Sequence, residues 1–561
     1  MKKLSGAEIL IESLVKEDVE YIFGLPGAVL CDVYDSLYDS SIKFILTRHE
    51  QAAAHAADGY ARASGKTGVC LVTSGPGATN IVTGIATAYM DSIPMVAFTG
   101  QVPTTMIGDD AFQEADIVGV TRTITKHNYL VNDVSELAKT IKEAFYVAST
   151  GRPGPVLIDL PKDIISGKAE FKYPSNVEIR GYNPNIHGHP GQIEKILDAV
   201  ELSKRPIIYA GGGVILSGAS KELLSFAEAT QIPVANTLMG LGGFPGSHKL
   251  FLGMLGMHGH YWANMAISHA DLVIAVGARF DDRVTGRVDK FATDARIVHI
   301  DIDPSAISKN VRVDIPIVGD AKEVLKELNS KLKESLKEFP DRKEWFEEIN
   351  GWKKTHPLKY NKKNELIKPQ FVVEKLYELT KGKAIVCTDV GQHQMWSAQY
   401  FKFDEPRTFL SSGGLGTMGF GLPASVGAKL AQPKKTVINI TGDGSFQMNM
   451  QELATAVHYG LQVKVVILNN CSYGMVRQWQ SLFYKNRYYA TDLHGNPDFV
   501  KLAESFGAVG LRATKEEEVE DVIKKALETD RTVVIDFRVD RDEKVYPMVP
   551  AGASIKEMMI D

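Results

Sequence analysis

Thr436-Val437-Ile438-Asn439-Ile440-Thr441 runs into Gly442-Asp443-Gly444, and a second apolar run, Val463-Lys464-Val465-Val466-Ile467-Leu468, ends at Asn469-Asn470, with 24 residues between the two polar sets. Each run has strand length and stops at glycine or amide residues, which places both polar sets at strand ends, where α/β sheets bind ligands. Glycines let a backbone approach a diphosphate closely, and a helix expected after Gln447 would offer free N–H groups. Asp443 and Asn470 add hard oxygen ligands of the kind Mg²⁺ takes. Taken alone, either half also reads as a turn or a strand-ending amide pair.

Working outward, 561 residues exceed what one core can organise, and three domains are expected. The net charge of −5, with 44% hydrophobic and 23% charged residues, gives no broad basic surface and argues against nucleic acid as a partner. Cys31, Cys70, Cys387 and Cys471 lie far apart without CxxC spacing, which fits reduced, buried thiols rather than a zinc site. No apolar run approaches the ~20 residues that span a bilayer, and no membrane partner is expected. Ser5-Gly6-Ala7-Glu8 has the capping-box pattern of a helix start, and a cytoplasmic protein is expected.

Helix and strand patterns alternate over residues 1–166, with strands at 69–73 and 95–99 and an Ala-rich helix after Glu50. Residues 166–191 turn polar and carry Pro174, Pro184 and Pro190, so a linker is expected. A second α/β unit spans 190–330, its first strand Pro206 to Ala210 running into Gly211-Gly212-Gly213, with further strands at 271–276 and 296–302. The lysine- and glutamate-rich stretch from Lys322 to Lys368 reads as solvated helices and linker. A third α/β unit spans 366–545, followed by a tail, 546–561. The fold expected is α/β, three doubly wound parallel-sheet domains.

Three further blocks narrow the reading: Val390-Gly391-Gln392-His393-Gln394-Met395-Trp396, Ser411-Ser412-Gly413-Gly414-Leu415-Gly416-Thr417-Met418-Gly419, and Gly277-Ala278-Arg279-Phe280-Asp281-Asp282-Arg283-Val284-Thr285-Gly286. With the paired 442–444 and 469–470 segments, they resemble the acetohydroxyacid synthase family of thiamine diphosphate enzymes, over nearly the whole chain. The resemblance implies thiamine diphosphate, Mg²⁺ and FAD as cofactors, with pyruvate and 2-ketobutyrate as substrates. It further implies a homodimer or dimer of dimers as the active unit, and a separate small regulatory subunit.

Residue by residue, the resemblance gives Glu50, in Arg48-His49-Glu50-Gln51, the hydrogen bond to the coenzyme pyrimidine that selects its reactive imino form. Read without it, Glu50 is a helix-start carboxylate complementing the macrodipole. Val390, Gly391, Gln392, His393, Gly416, Met418, Gly442, Asp443, Gly444, Ser445 and Met475 would line the thiamine diphosphate. Met418 would wedge the coenzyme into its bent form. Asp443, Asn470 and the carbonyl of Ser472 would hold the metal. Gly27, Gln113 and Lys162 would stand at the reacting centre and its entrance, with Phe112 beside substrate. Arg283 would pair with the second ketoacid's carboxylate, a task suited to a guanidinium fork, and Trp479 would meet the extra methyl of 2-ketobutyrate. FAD would lie along Arg152, Gly211, Gly212, Gly213, Met257, His258, Gly259, Arg279, Asp281, Asp301, Ile302, Asp320 and Ala321.

Gly414-Leu415-Gly416-Thr417-Met418-Gly419 also matches GxGxxG, but no acidic residue follows about 20 residues on at a strand end, so a dinucleotide site there is rejected. Two other readings stand beside the carboligase: a flavin-dependent pyruvate oxidase, which Arg283 and Trp479 disfavour, and a non-catalytic nucleotide-binding protein, which leaves Glu50 unexplained.

Overall fold

In the computed structural model, which describes residues 3–334, 339–361 and 366–561, the apolar runs form three six-stranded parallel sheets. Most of these strands are buried on both faces, which is why they read as continuous apolar stretches rather than alternating ones.

The first sheet comprises β1 (Tyr21–Leu25), β2 (Lys43–Leu46), β3 (Gly68–Val72), β4 (Met95–Gln101), β5 (His127–Leu130) and β6 (Pro155–Pro161), in the order β2-β1-β3-β4-β6-β5. The second comprises β7 (Pro206–Ala210), β8 (Val234–Asn236), β9 (Phe251–Met254), β10 (Leu272–Val276), β11 (Arg296–Asp301) and β12 (Ile315–Val318), ordered β9-β8-β7-β10-β11-β12. The third comprises β13 (Ile385–Thr388), β14 (Phe409–Leu410), β15 (Val437–Gly442), β16 (Val463–Asn469), β17 (Val509–Ala513) and β18 (Val533–Arg538), ordered β14-β13-β15-β16-β18-β17.

The first and third sheets therefore share one strand order. The middle one has the 3-2-1-4-5-6 order of dinucleotide-binding folds, with its reversal between β7 and β10. Gly211-Gly212-Gly213 follow β7 at that reversal.

Helix α1 (Glu50–Ser64) starts with Glu50, α2 (Val82–Asp91) packs beside it, and α3 (Gly421–Ala431) of the third domain lies across α1. A Cβ on Gly427 would fall 1.9 Å from the Ala56 carbonyl oxygen, and one on Gly59 2.2 Å from that of Ala424. The two helices meet backbone to backbone, and only glycine permits this. Arg48 N donating to Glu452 at 2.9 Å and Leu46 N donating to the Tyr459 hydroxyl at 2.8 Å extend the same junction.

The Ser5–Glu8 capping box is present, with bonds of 2.7 and 3.2 Å. Two segments differ from expectation. The helix Lys343–Thr355, inside the charge-rich stretch, buries Trp345 and Ile349 against the middle domain, and Trp345 Nε1 donates to the Pro206 carbonyl at 3.1 Å. Residues 335–338 and 362–365 of that stretch lie outside the described residues. In the polar run 166–191, Lys168–Glu170 pairs with Lys3–Ser5, and Tyr182 donates to the Thr150 carbonyl at 2.9 Å, so this connection is tied to the first domain. The tail folds back on the middle domain through Val549 N to the Met257 carbonyl at 2.8 Å and a bridge between Gly286 and Ser554. Among the described residues no helix is long and apolar enough to cross a membrane.

Candidate active site

The carboxyl ends of the middle and third sheets open on one cavity of about 1730 Å³. A pocket for one small ligand is typically about 300–1,000 Å³, so this volume suits two extended ligands better than one.

At the end of the third sheet, β15 stops at Gly442 and the chain turns at once into a helical turn, Asp443–Phe446, not into a helix after Gln447 as expected. Asp443 is 1% exposed. Its Oδ2 accepts from Asn496 Nδ2 at 2.6 Å, while Oδ1 is buried with no partner. Burial pushes this carboxyl up to about 6, against the opposing hydrogen bond from Asn496. On the neighbouring β16, Asn470 follows the last strand residue, with Oδ1 accepting from Ser472 N at 3.1 Å. Asp443, Asn470 and Ser472 thus border the cavity together. Among the described residues no group of three or more His, Cys, Asp or Glu side chains is placed to hold a metal ion. A hard ion that takes few protein ligands and completes its shell from a bound diphosphate fits this donor set.

Beside these oxygens, Ser445 Oγ donates to the Val390 carbonyl at 3.0 Å, joining the two strand-end loops that carry Val390, Gly391, Gly442 and Gly444. His393 is buried and neutral, its pKa pushed down to about 3 by burial, and its Nε2 has no partner. Gln392 lines the cavity, but its side chain is engaged: Nε2 donates to Gln478 at 2.9 Å and to the Glu543 carbonyl at 3.0 Å. Gly416 and Met418 border the cavity from the glycine-rich loop, and Met475 and Trp479 from helix α4 (Gly474–Phe483). The GxGxxG match sits in this loop, between β14 and α3 of the third domain.

The other arm of the cavity follows the strand-order reversal of the middle sheet. A Cβ on Gly211 would lie 2.1 Å from the Gly277 carbonyl oxygen, and one on Gly213 2.6 Å from Gly277 Cα, so the loops after β7 and β10 touch along their backbones. Arg152, Gly212, Met257, His258, Arg279, Asp281, Asp301, Ile302, Asp320 and Ala321 also line it. Arg152 reaches Asp303 at 3.3 Å and Ser92 Oγ at 2.8 Å. Gly259 is the exception: it closes a tight turn on Gly256 and does not line the cavity. Arg283 extends its exposed side chain into the same space, with Nη1 3.4 Å from Met257 Sδ.

The first-domain candidates form a separate group. Glu50 is the first residue of α1, 7% exposed, and its Oε2 accepts from Asn80 Nδ2 at 2.9 Å. Gly27 follows β1 and lies against the Thr73 side chain, while Gln113, at φ 60°, packs on Gly75. Phe112 is 88% exposed, and Lys162 pairs with Asp32 at 2.8 Å. None of these five lines the cavity that holds Asp443. Within one copy of the chain the two groups of candidates therefore lie apart.

Comparison with known proteins agrees with this architecture. Residues 4–120 match the N-terminal TPP binding domain of thiamine pyrophosphate enzymes, residues 193–328 their central domain, and residues 389–537 their C-terminal TPP binding domain. The acetolactate synthase large subunit of Haemophilus influenzae is 51% identical, the alignment covering 100% of this chain and 99% of that protein. The chain belongs to the acetolactate synthase large-subunit family. The isozyme 3 large subunit of Escherichia coli is 50% identical over 100% of this chain and 99% of its own length. The large subunit from Corynebacterium glutamicum is 50% identical over 99% and 90%. Membership in this family accounts for all three sheets.

Several residues of the site carry no sequence signal of their own. Asn496 lies 53 residues beyond the carboxylate it holds. Asp389, one residue before the Val390 block, accepts from Gly419 N at 2.7 Å, Gly421 N at 3.2 Å and Thr441 Oγ1 at 2.9 Å, and burial pushes its pKa up to about 6. Asn80, which orients Glu50, sits in Gly75-Pro76-Gly77-Ala78-Thr79-Asn80, and its helical turn after β3 is the only hint of its role.

Proposed function

We propose that the chain is an acetolactate synthase: it decarboxylates pyruvate and joins the two-carbon unit to a second pyruvate or to 2-ketobutyrate, serving branched-chain amino acid synthesis. The observation that carries this reading is the unpartnered, buried Oδ1 of Asp443, set beside Asn470 and Ser472 at the mouth of a cavity shared with a dinucleotide-type crevice. Whole-length likeness to proteins named acetolactate synthase supports it.

Bound thiamine diphosphate supplies a nucleophilic carbon and an electron sink for decarboxylation. Asp443, Asn470 and the Ser472 carbonyl would hold Mg²⁺, with Gly442, Gly444, Ser445, Val390, Gly391, Gln392 and His393 around the diphosphate. Met418 and Met475 would press on the coenzyme rings. Glu50, oriented by Asn80, would come from a second copy of the chain, with Gly27, Gln113, Phe112 and Lys162 beside it. A homodimer is then the smallest working unit, in the cytoplasm, with a separate small regulatory subunit suggested by the relatives' name of large subunit. Arg283 offers its guanidinium fork to the acceptor's carboxylate. Trp479 forms an apolar wall that favours the acceptor with one more methyl. FAD would lie along the arm from Arg152 to Asp320, where the strand order and the glycine contacts fit a dinucleotide.

The test is to supply the purified chain with pyruvate, 2-ketobutyrate, Mg²⁺, FAD and thiamine diphosphate, and identify the products by mass. Acetolactate and acetohydroxybutyrate are expected. Anaerobic bleaching of the flavin by pyruvate at the turnover rate would instead mark an oxidase.

A further inference from the structure

The loop 411–418 borders the cavity, yet its own domain grips mainly its ends. At the far end Asp389 takes the N–H groups of Gly419 and Gly421, and at the near end Gln394 donates to Ser411 Oγ at 2.6 Å. Between these points the loop carries one bond of its own, Thr417 N to Ser412 Oγ at 2.9 Å, and the first domain of the same chain adds a further grip. Asp91, the last residue of α2, accepts from Gly414 N on Oδ1 at 2.7 Å and from Gly413 N on Oδ2 at 3.1 Å. Arg62 of α1 binds the same Oδ2 at 2.9 Å, reaches the Ser411 carbonyl at 2.9 Å, and pairs with Asp58. One turn before Asp91, the Thr87 hydroxyl meets that of Thr417 at 2.7 Å.

The cluster is buried: Asp58 is 0%, Arg62 6% and Asp91 9% exposed. Taking three ionised groups out of water costs more than apolar packing of the same volume, so such a cluster adds little net stability. What it does supply is geometry, because charge-assisted bonds between a planar guanidinium, a carboxylate and backbone N–H groups are short and directional. Here the geometry fixed is that of the residues before Met418. Leu415 is 43% exposed, Gly416 has φ +73°, and Thr417 is tied back to Ser412, so the placement of Leu415 to Met418 depends on how residues 412–414 are held.

We propose that Asp91, held by Arg62, is a positioning residue that sets the height of Met418 in the cavity. The first domain would then set the coenzyme loop of its own chain while presenting Glu50 to another. The proposal rests on the reading of Met418 as the support under thiamine diphosphate.

Asp91→Asn keeps the side-chain shape, leaves Asp58 and Arg62 as a neutral pair, and offers one oxygen to two N–H groups. Amide hydrogen exchange on the ligand-free chain should rise about tenfold or more at residues 413–417, the loss of a charged hydrogen bond, while Gly419 and Gly421 stay unchanged. With thiamine diphosphate and Mg²⁺ bound, exchange of the coenzyme's C2 proton should slow by a comparable factor. Thr87→Val, which alters no charge, should move both readouts the same way and decides the matter if Asp91→Asn does not fold. Unchanged amide exchange at 413–417, or unchanged C2 exchange in a folded variant, overturns the proposal. Glu50→Gln separates the two levels: a wild-type C2 exchange rate in that variant sinks the reading of the site itself, whatever Asp91 does.

Discussion

Asn496 donates to one oxygen of Asp443 at 2.6 Å and leaves the other buried and unpartnered. The carboxyl is held at about 6 against an ordinary value of 3.8, burial being the main cause. Between about pH 4 and 6 the native chain therefore binds more protons than the unfolded one, and its metal-free stability falls as pH rises through that window. The cost above pH 6 is about 3 kcal/mol, at roughly 1.4 kcal/mol for each pH unit between the folded and the ordinary value. Mg²⁺ competes with the same proton, so its affinity should climb over this range and level off near neutrality. Urea unfolding in chelator and Mg²⁺ titration across pH check both slopes. Asp443→Asn should flatten them and abolish turnover without destabilising the metal-free chain.

Gly427 and Gly59 allow α1 and α3 to touch, and neither can carry a methyl without moving a backbone. Gly427→Ala should cost about 3 kcal/mol or more, since overpacking a closed contact forces backbone shifts. Thermal unfolding reads this directly, and an unchanged midpoint would mean that the helices lie further apart than described.

Much of this was legible in the sequence, for uneven reasons. The strands beneath Asp443 and Asn470 were readable because parallel strands buried on both faces leave long apolar runs. The dinucleotide-type order of the middle sheet was not, because three glycines after a strand suit many turns, and the strand order around β7 and β10 is set by pairing between distant segments. Asn496, Asp389 and Asp91 were invisible: each acts through contacts with loops distant in sequence, and single polar residues leave no periodicity. The helix that buries Trp345 was read as solvated because its lysines and glutamates outnumber the few residues that pack.

Trp479 borders the cavity from α4, its ring edge-on to Phe483 at 5.4 Å. Trp479→Leu should leave pyruvate decarboxylation largely intact but lower the preference for 2-ketobutyrate about tenfold or more, since a methylene in an apolar pocket is worth about 1–3 kcal/mol. Competition between the two acceptors, with product ratios measured by mass, checks it.

Arg283 has its guanidinium in the same space, only loosely paired with Asp282 at 3.8 Å. Arg283→Lys keeps the charge and loses the fork, so the apparent KM for the acceptor should rise about tenfold while coenzyme affinity holds. Equal acceptor saturation in wild type and variant would remove Arg283 from the substrate site.

Glu50 lies outside the cavity that holds Asp443 in the same chain, so the two can act on one coenzyme only across two copies. Glu50→Gln and Asp443→Asn should each be inactive alone while remaining folded. Co-refolded in equal amounts, they should regain about a quarter of wild-type turnover, because half of the random dimers contain one intact site of two. A mixture as inactive as its parents, in dimers shown to have exchanged subunits, would contradict the account.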